Sequence, residues 1–188
     1  MDSIEFIEHL DQYRDEFFGF VRRNLYKPED AEDVFASTVL TAFENKGTFK
    51  VGTNFRAWVY KIIVNKCFVA NRENRRQAVS LEQIEFDQTV DQNAGFVTDD
   101  PDKFLALCGD EIFKAFEKLK TVERMCFMLF TMHNYSYKEI GEIVEIPTAS
   151  IGTHLARGRS KLRQSLKHYA RQQGFLKPYM KEGAKDEK

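Results

Sequence analysis

No stretch of this 188-residue sequence approaches the roughly 20 consecutive apolar residues that a membrane-crossing helix needs. The opening residues MDSIEFIEHL carry neither the cationic flank nor the apolar run of a secretory signal. A cytoplasmic chain without membrane insertion is expected. Cysteine is scarce. Cys67, Cys108 and Cys126 are odd in number, far apart and embedded in apolar or helical sequence, with no CxxC and no Cys/His ligand spacing. Free thiols in a reducing compartment follow, and neither a disulfide framework nor a metal site is indicated. The four histidines, His9, His133, His154 and His168, stand apart from any Cys or Asp at ligand or triad spacing, and no glycine-rich phosphate loop is present. No catalytic residue, metal or cofactor is therefore expected.

What the chain does have is apolar mass and segregated charge. With 43% hydrophobic residues and 17 Phe it can build real cores, and its length suits one ordinary domain or two small ones. The formal net charge is only −1, but it hides an alternation. Residues 1–46 sum to −6, 47–80 to +6, 81–117 to −8 and 118–188 to +7. Two basic blocks, each preceded by an acidic one, are a pattern that a whole-chain isoelectric point conceals.

Helical periodicity dominates. From about Ser3 to Tyr26, Phe6, Leu10, Tyr13, Phe17, Phe20, Val21 and Leu25 fall on one face, an aromatic stripe that suits a core. Lys27-Pro28-Glu29 breaks this helix, and Glu29, Asp30, Glu32 and Asp33 then favour the positive end of the next one. A loop follows around Gly47 and Gly52. Thr53 or Asn54 caps a third helix, whose apolar face is Phe55, Trp58, Val59, Ile62, Ile63 and Phe68. Lys61, Lys66, Arg72, Arg75 and Arg76 make its other side cationic. Trp58 reads as core, whereas Tyr60 among these cations is placed as readily in a core as against an unpaired base. Residues 78–102 hold seven acidic and no basic residues without periodicity, which marks a linker. Its charge admits two readings, a solvated tether or a segment lying in a basic channel made for nucleic acid. Helical pattern returns near Phe104 and culminates in VERMCFMLFTMH, apolar on most sides and so expected to be buried.

The last third has the clearest local grammar. Ser136 and Glu139 form a capping box, so a helix starts at Tyr137 and buries Ile140, Ile143 and Val144. Glu145-Ile146-Pro147 stops it, and Thr148 is placed to cap a second helix with a seam of Ile151, Leu155, Leu162 and Leu166. Arg157, Arg159, Lys161, Arg163, Lys167 and Arg171 surround that seam, and no acidic residue occurs between Gly152 and Lys177. Charge alone fits a solvated surface helix. A capped helix, a tight turn and one-sided charge together fit a helix-turn-helix whose second helix enters the DNA major groove.

Two further segments, DAEDVFASTVLTAFEN and FRAWVYKIIVNKCFVANREN, together with SYKEIGEIVEIPTASIGTHLARGRSKLR, resemble the diagnostic segments of bacterial RNA polymerase sigma factors of the extracytoplasmic-function class. The likeness runs from about Phe17 to Leu166 in family order. It implies an all-α protein of two small helical domains joined by an acidic flexible linker, the second containing a helix-turn-helix. The divisions expected are 1–77 for polymerase docking and minus-ten melting, 78–103 for the linker, 104–175 for minus-thirty-five recognition and 176–188 for a flexible tail. The partners implied are core RNA polymerase, double-stranded and melted promoter DNA, and an anti-sigma factor. Polymerase docking maps to Asp30, Asp33, Val34, Ser37, Thr38 and Leu40. A base pocket and melted-strand surface map to Lys46, Thr48, Phe49, Asn54, Tyr60, Lys61, Asn65, Arg72, Arg75 and Arg76. Upstream-element contacts map to Ser150, Gly152, Thr153, His154 and Arg157, with Arg159, Lys161 and Arg163 near phosphates.

Several positions depart from the family pattern. Ala36-Ser37 stands where Gln-Glu is usual, Val69 where Asp is frequent, Ala149 where the turn has Gly, and Gly152 and His154 where a basic pair is usual. Two other functions fit parts of the same sequence, a helix-turn-helix regulator that does not recruit polymerase and a sigma mimic that sequesters an anti-sigma protein. The retained charge of both basic blocks argues against the mimic.

Overall fold

A computed structural model of the chain describes residues 1–78 and 114–172, and every regular element among them is helical. Helix α1 is Ser3–Asn24, α2 is Ala31–Glu44 and α3 is Phe55–Ala78. Helix α4 is Thr121–Thr131, α5 is Tyr137–Val144 and α6 is Thr148–Gln172. The expected linker, the return of helix near Phe104, Cys108 and the expected tail lie outside the described residues.

Local chemistry accounts for the boundaries. Asp2 caps α1, its Oδ1 accepting from the N–H of Ile4 at 2.7 Å and of Glu5 at 2.9 Å, while the Glu5 carboxylate returns to the Asp2 N–H at 3.0 Å. Pro28 fixes a short 3-10 turn, Pro28–Asp30, ahead of α2, so Glu29 and Asp30 precede that helix and only Glu32 and Asp33 sit in its first turn. Asn54, of the two caps expected for α3, accepts the Ala57 N–H at 3.1 Å. The Ser136 and Glu139 box opens α5 as expected. Thr148 does not cap α6. The helix already includes it, and the Ser150 N–H and hydroxyl both donate to the Pro147 carbonyl, at 2.9 and 2.7 Å.

Helices α1, α2 and α3 pack around Phe6, Phe17, Phe20, Val59 and Ile63, all buried, with edge-to-face ring pairs such as Phe6–Phe43 at 5.6 Å. Helix α4 supplies Met125, Cys126, Met128 and Leu129 to a second cluster with Ile140, Ile151 and Leu155. These clusters are continuous, because α4 and α5 pack directly on α1 and α3. The two halves therefore form one body, with the helix-turn-helix seated against the first three helices.

Candidate nucleic-acid interface

The α5–α6 turn depends on close backbone approach. A Cβ at Gly141 would stand 3.0 Å from Thr148 Oγ1 and 3.1 Å from the Ile146 carbonyl, so glycine permits the turn to fold back on α5. Glu145 ends α5 in the left-handed region at φ 59°, the cap conformation that Gly or Asn ordinarily takes. The seam of α6 is buried at Ile151, Leu155 and Leu162 and half-buried at Leu166. Thr153 and Arg157 face outward, and Ser150, Gly152 and His154 are half-buried beside them. Burial lowers the His154 pKa, leaving a neutral ring at neutral pH.

The three cations expected near phosphates are placed differently from one another. Arg163 is exposed. The Arg159 guanidinium lies 5.5 Å from the centre of the Phe130 ring, a cation–π contact. Lys161 is turned inward, with Nζ 2.7 Å from the carboxylate of Glu123, which is 2% exposed. Its ammonium is engaged in the packing of α6 on α4.

In the first half, the 46–54 loop folds over the start of α3. Phe49 packs against Phe55 and Trp58 at 5.7 and 5.5 Å, and the Lys46 ammonium sits 3.9 Å over the Phe43 ring. Thr48 donates to the Asn45 carbonyl at 2.8 Å. Lys61, Asn65 and Arg72 lie along the exposed side of α3, whereas the side chains of Arg75 and Arg76 lie outside the described residues. Tyr60 departs from the stacking role entertained for it. It is fully buried, and its hydroxyl donates to Glu16 Oε1 at 2.6 Å and lies 3.2 Å from the His133 ring. On α2, Asp33, Ser37 and Leu40 are exposed and Val34 half-buried. Thr38 is buried and donates to the Val34 carbonyl at 2.8 Å, and Asp30 accepts from Asn74 at 2.9 Å. Those two support the α2 surface from beneath.

Residues that sequence reasoning passed over join the halves. The Glu16 carboxylate receives Arg56 at 2.6 Å, Tyr60 at 2.6 Å and His133 Nδ1 at 3.3 Å. Burial opposes its ionisation, but hydrogen bonds from His133, Tyr60 and Arg56 outweigh it and hold its pKa down at about 2. Arg124 of α4 is 2% exposed and donates to the Arg23 carbonyl at 3.0 Å, at the negative end of α1. Asn71 accepts from the Tyr26 N–H at 2.8 Å, donates to the Asn24 carbonyl at 2.7 Å and lies 3.4 Å from Thr121 Oγ1. At the rim, the Glu145 carboxylate meets Lys61 Nζ at 2.8 Å and Asn65 Nδ2 at 3.5 Å. Among the described residues no group of His, Cys, Asp and Glu is arranged to hold a metal, and no helix is long and apolar enough to cross a membrane.

This division into a three-helix half and a helix-turn-helix half has a counterpart in known sequences. Residues 9–77 match the family Sigma-70 region 2, and residues 109–162 match Sigma-70, region 4. The chain belongs to the sigma-70 family. Its relatives make it a sigma factor of the extracytoplasmic-function class. It is 25% identical over 170 residues to the ECF RNA polymerase sigma factor SigW of Bacillus subtilis (strain 168), spanning 88% of this chain and 91% of that one. To RNA polymerase sigma factor CarQ of Myxococcus xanthus it is 26% identical over 148 residues, 79% of this chain and 81% of that one. Among solved structures, the fold is similar to the sigma factor RpoE of Bartonella quintana in complex with the anti-sigma factor NepR, with a TM-score of 0.69 and 22% identity over 87% of this chain and 97% of that one. It is also similar to CnrH in complex with the cytosolic domain of CnrY, with a TM-score of 0.61 and 17% identity over 89% of this chain and 90% of that one. As a sigma factor, the chain directs promoter-specific initiation by RNA polymerase and does no bond chemistry itself.

Proposed function

We propose that this sigma factor docks on core RNA polymerase through the exposed ridge of α2, with Asp33, Ser37 and Leu40 at the contact and Asp30, Val34 and Thr38 supporting it. The outward face of α6, with Thr153 and Arg157, reads the minus-thirty-five element. The 46–54 loop with Lys61, Asn65 and Arg72 takes the minus-ten element and the melted strand. The observation that carries this reading is the presence, in one chain, of both matched regions, with an exposed cationic α6 in one and an exposed basic side of α3 in the other. The protein acts in the cytoplasm, where its polymerase is. The two similar structures are complexes with an anti-sigma factor and with the cytosolic domain of CnrY, which supports an anti-sigma partner here too.

The test is run-off transcription by core polymerase on fragmented genomic DNA from the source organism, with and without this protein. Promoter-specific transcripts that need the protein are the expected result. Specific DNA binding without transcripts would instead mean a regulator that does not recruit polymerase.

A further inference from the structure

Lys120 occupies a position that local chemistry disfavours. It is the N-cap of α4, with extended backbone at φ −62° and ψ 149°. Its side chain is a donor only and cannot accept the N–H groups of the first turn. Ser, Thr, Asp or Asn suit this position, and a cation there opposes the positive end of the helix dipole. Glu123 offsets part of the cost by accepting the Lys120 N–H at 3.0 Å. The lysine side is nevertheless exposed. A local choice that works against its own helix, at the surface, points to a use outside the fold.

The neighbour of Lys120 is the second helix of the helix-turn-helix. The Glu123 oxygen that takes the Lys120 N–H also takes Lys161 Nζ at 2.7 Å. A Cβ at Gly158 would lie 3.5 Å from Leu119 Cδ2 and 3.6 Å from the Glu123 carbonyl oxygen, so the turn that ends at Lys120 is pressed against α6. His154, Arg157 and Lys161 follow one another at steps of three and four and share the edge of α6 that this turn meets. Along that edge Arg157 is exposed, Lys161 is committed to Glu123, and His154 is half-buried and neutral. Besides burial, the charges of Arg157 and Lys120 lower the His154 pKa while Glu123 raises it, as two cations close to the ring would. Helix α6 itself carries no acidic residue to compete for an incoming anion.

We propose that Lys120 is a DNA-contacting residue supplied by α4. When α6 enters the major groove, the Lys120 ammonium meets a backbone phosphate at the edge of the groove, beside the bases that face Thr153 and Arg157. The contact adds affinity and fixes how α6 sits in the groove, and it reads no base. It rests on the reading of α6 as the upstream-element surface. A lysine suits the task because its flexible stem carries a point charge to a phosphate without a fixed orientation. Good capping is given up for that contact, a common exchange of stability for function.

Lys120→Ser tests this, because serine supplies a capping side chain and removes the charge. The full chain is titrated against a fluorescein-labelled DNA duplex of arbitrary sequence over a series of salt concentrations. The variant should melt at or above the wild-type temperature and bind roughly five- to tenfold more weakly near about 0.1 M salt, with the slope of log K against log salt reduced by about one. Selection from a duplex pool randomised over the upstream element should return the wild-type preference. In the free protein, nuclear magnetic resonance should show His154 titrating at higher pH once the Lys120 charge is gone. An unchanged salt slope or a His154 titration that does not move would overturn the proposal. Should Lys120→Ser fail to fold, Lys120→Gln takes its place with the same binding expectations. Weaker binding that tracks a lower melting temperature in both variants would mark Lys120 as a residue of the fold and refute the contact. Arg157→Ala, measured in parallel, separates this from the reading of α6. Relaxed selection by Arg157→Ala beside a wild-type salt slope for Lys120→Ser would sink the Lys120 contact alone, whereas unchanged binding and selection in both would sink the reading of α6 as well.

Discussion

Single residues carry both the packing and the reading of DNA, and the structure tells apart positions that look alike in sequence. Arg157 and Lys161 sit four apart on one cationic helix, yet Arg157 is exposed and Lys161 neutralises a glutamate that is 2% exposed. Arg157→Ala should cost about 1–3 kcal/mol at the cognate promoter and relax upstream sequence preference. Competition binding by the reconstituted holoenzyme checks this, and chemical denaturation should show the fold unaffected. Lys161→Gln should behave the opposite way, lowering stability by roughly 2–3 kcal/mol, because the buried Glu123 carboxylate keeps the Lys120 N–H but loses its cation, while the salt dependence of promoter binding stays the same. Gly152 and Gly141 form another such pair. A Cβ at Gly152 meets Tyr137 Cε2 at 3.7 Å, an ordinary contact, so Gly152→Ala should stabilise α6 by about 0.5–1 kcal/mol. At Gly141 the added Cβ stands 3.1 Å from a carbonyl, and Gly141→Ala should lower the melting temperature.

At the scale of elements, helix boundaries and apolar faces were legible because they follow from local rules. The proline at 28, the Ser136–Glu139 box and the spacing of Ile151, Leu155 and Leu162 each act within a few residues. What was not legible came from contacts distant in sequence. His133 is isolated in the chain and yet lies on Glu16, and Tyr60 sits among cations and yet is buried, because α4 and the loop after it dock on α1 and α3. The Glu16 cluster gives this docking a pH signature. Its carboxyl is depressed from the ordinary 4.5 to about 2, so the unfolded chain binds the extra proton between those values. The resulting stability is fully present above about pH 4.5 and is lost as pH falls towards 2. Shifts of this size correspond to at most about 3 kcal/mol. In urea titrations Glu16→Gln should be less stable than wild type at pH 7, with the gap closing as pH falls from about 4.5 to about 2. A gap that stays constant over that range would mean the carboxylate charge is not what Arg56, Tyr60 and His133 recognise.

For the whole molecule, the sequence reads as two domains on a tether, and the family matches fall on two separate stretches, 9–77 and 109–162, but the core is continuous between them. Phe20, Asn24, Tyr60 and Asn71 from one half and Thr121, Arg124, Met128 and His133 from the other meet in one seam. No periodicity argument reaches such a seam, since each helix shows only that it has an apolar face and not which face covers it. Cooperativity is where the seam becomes measurable. If the halves share their core, neither can unfold without exposing the apolar surface of the other, so the free chain should melt in one calorimetric transition with equal calorimetric and van't Hoff enthalpies. His133→Glu, by setting two carboxylates against each other across the seam, should uncouple the halves. Its endotherm should broaden or split, with the calorimetric enthalpy exceeding the van't Hoff value. A wild type that melts in two steps at neutral pH would instead mean that the seam contributes too little to bind the halves into one unit, and that each carries its own core to the promoter.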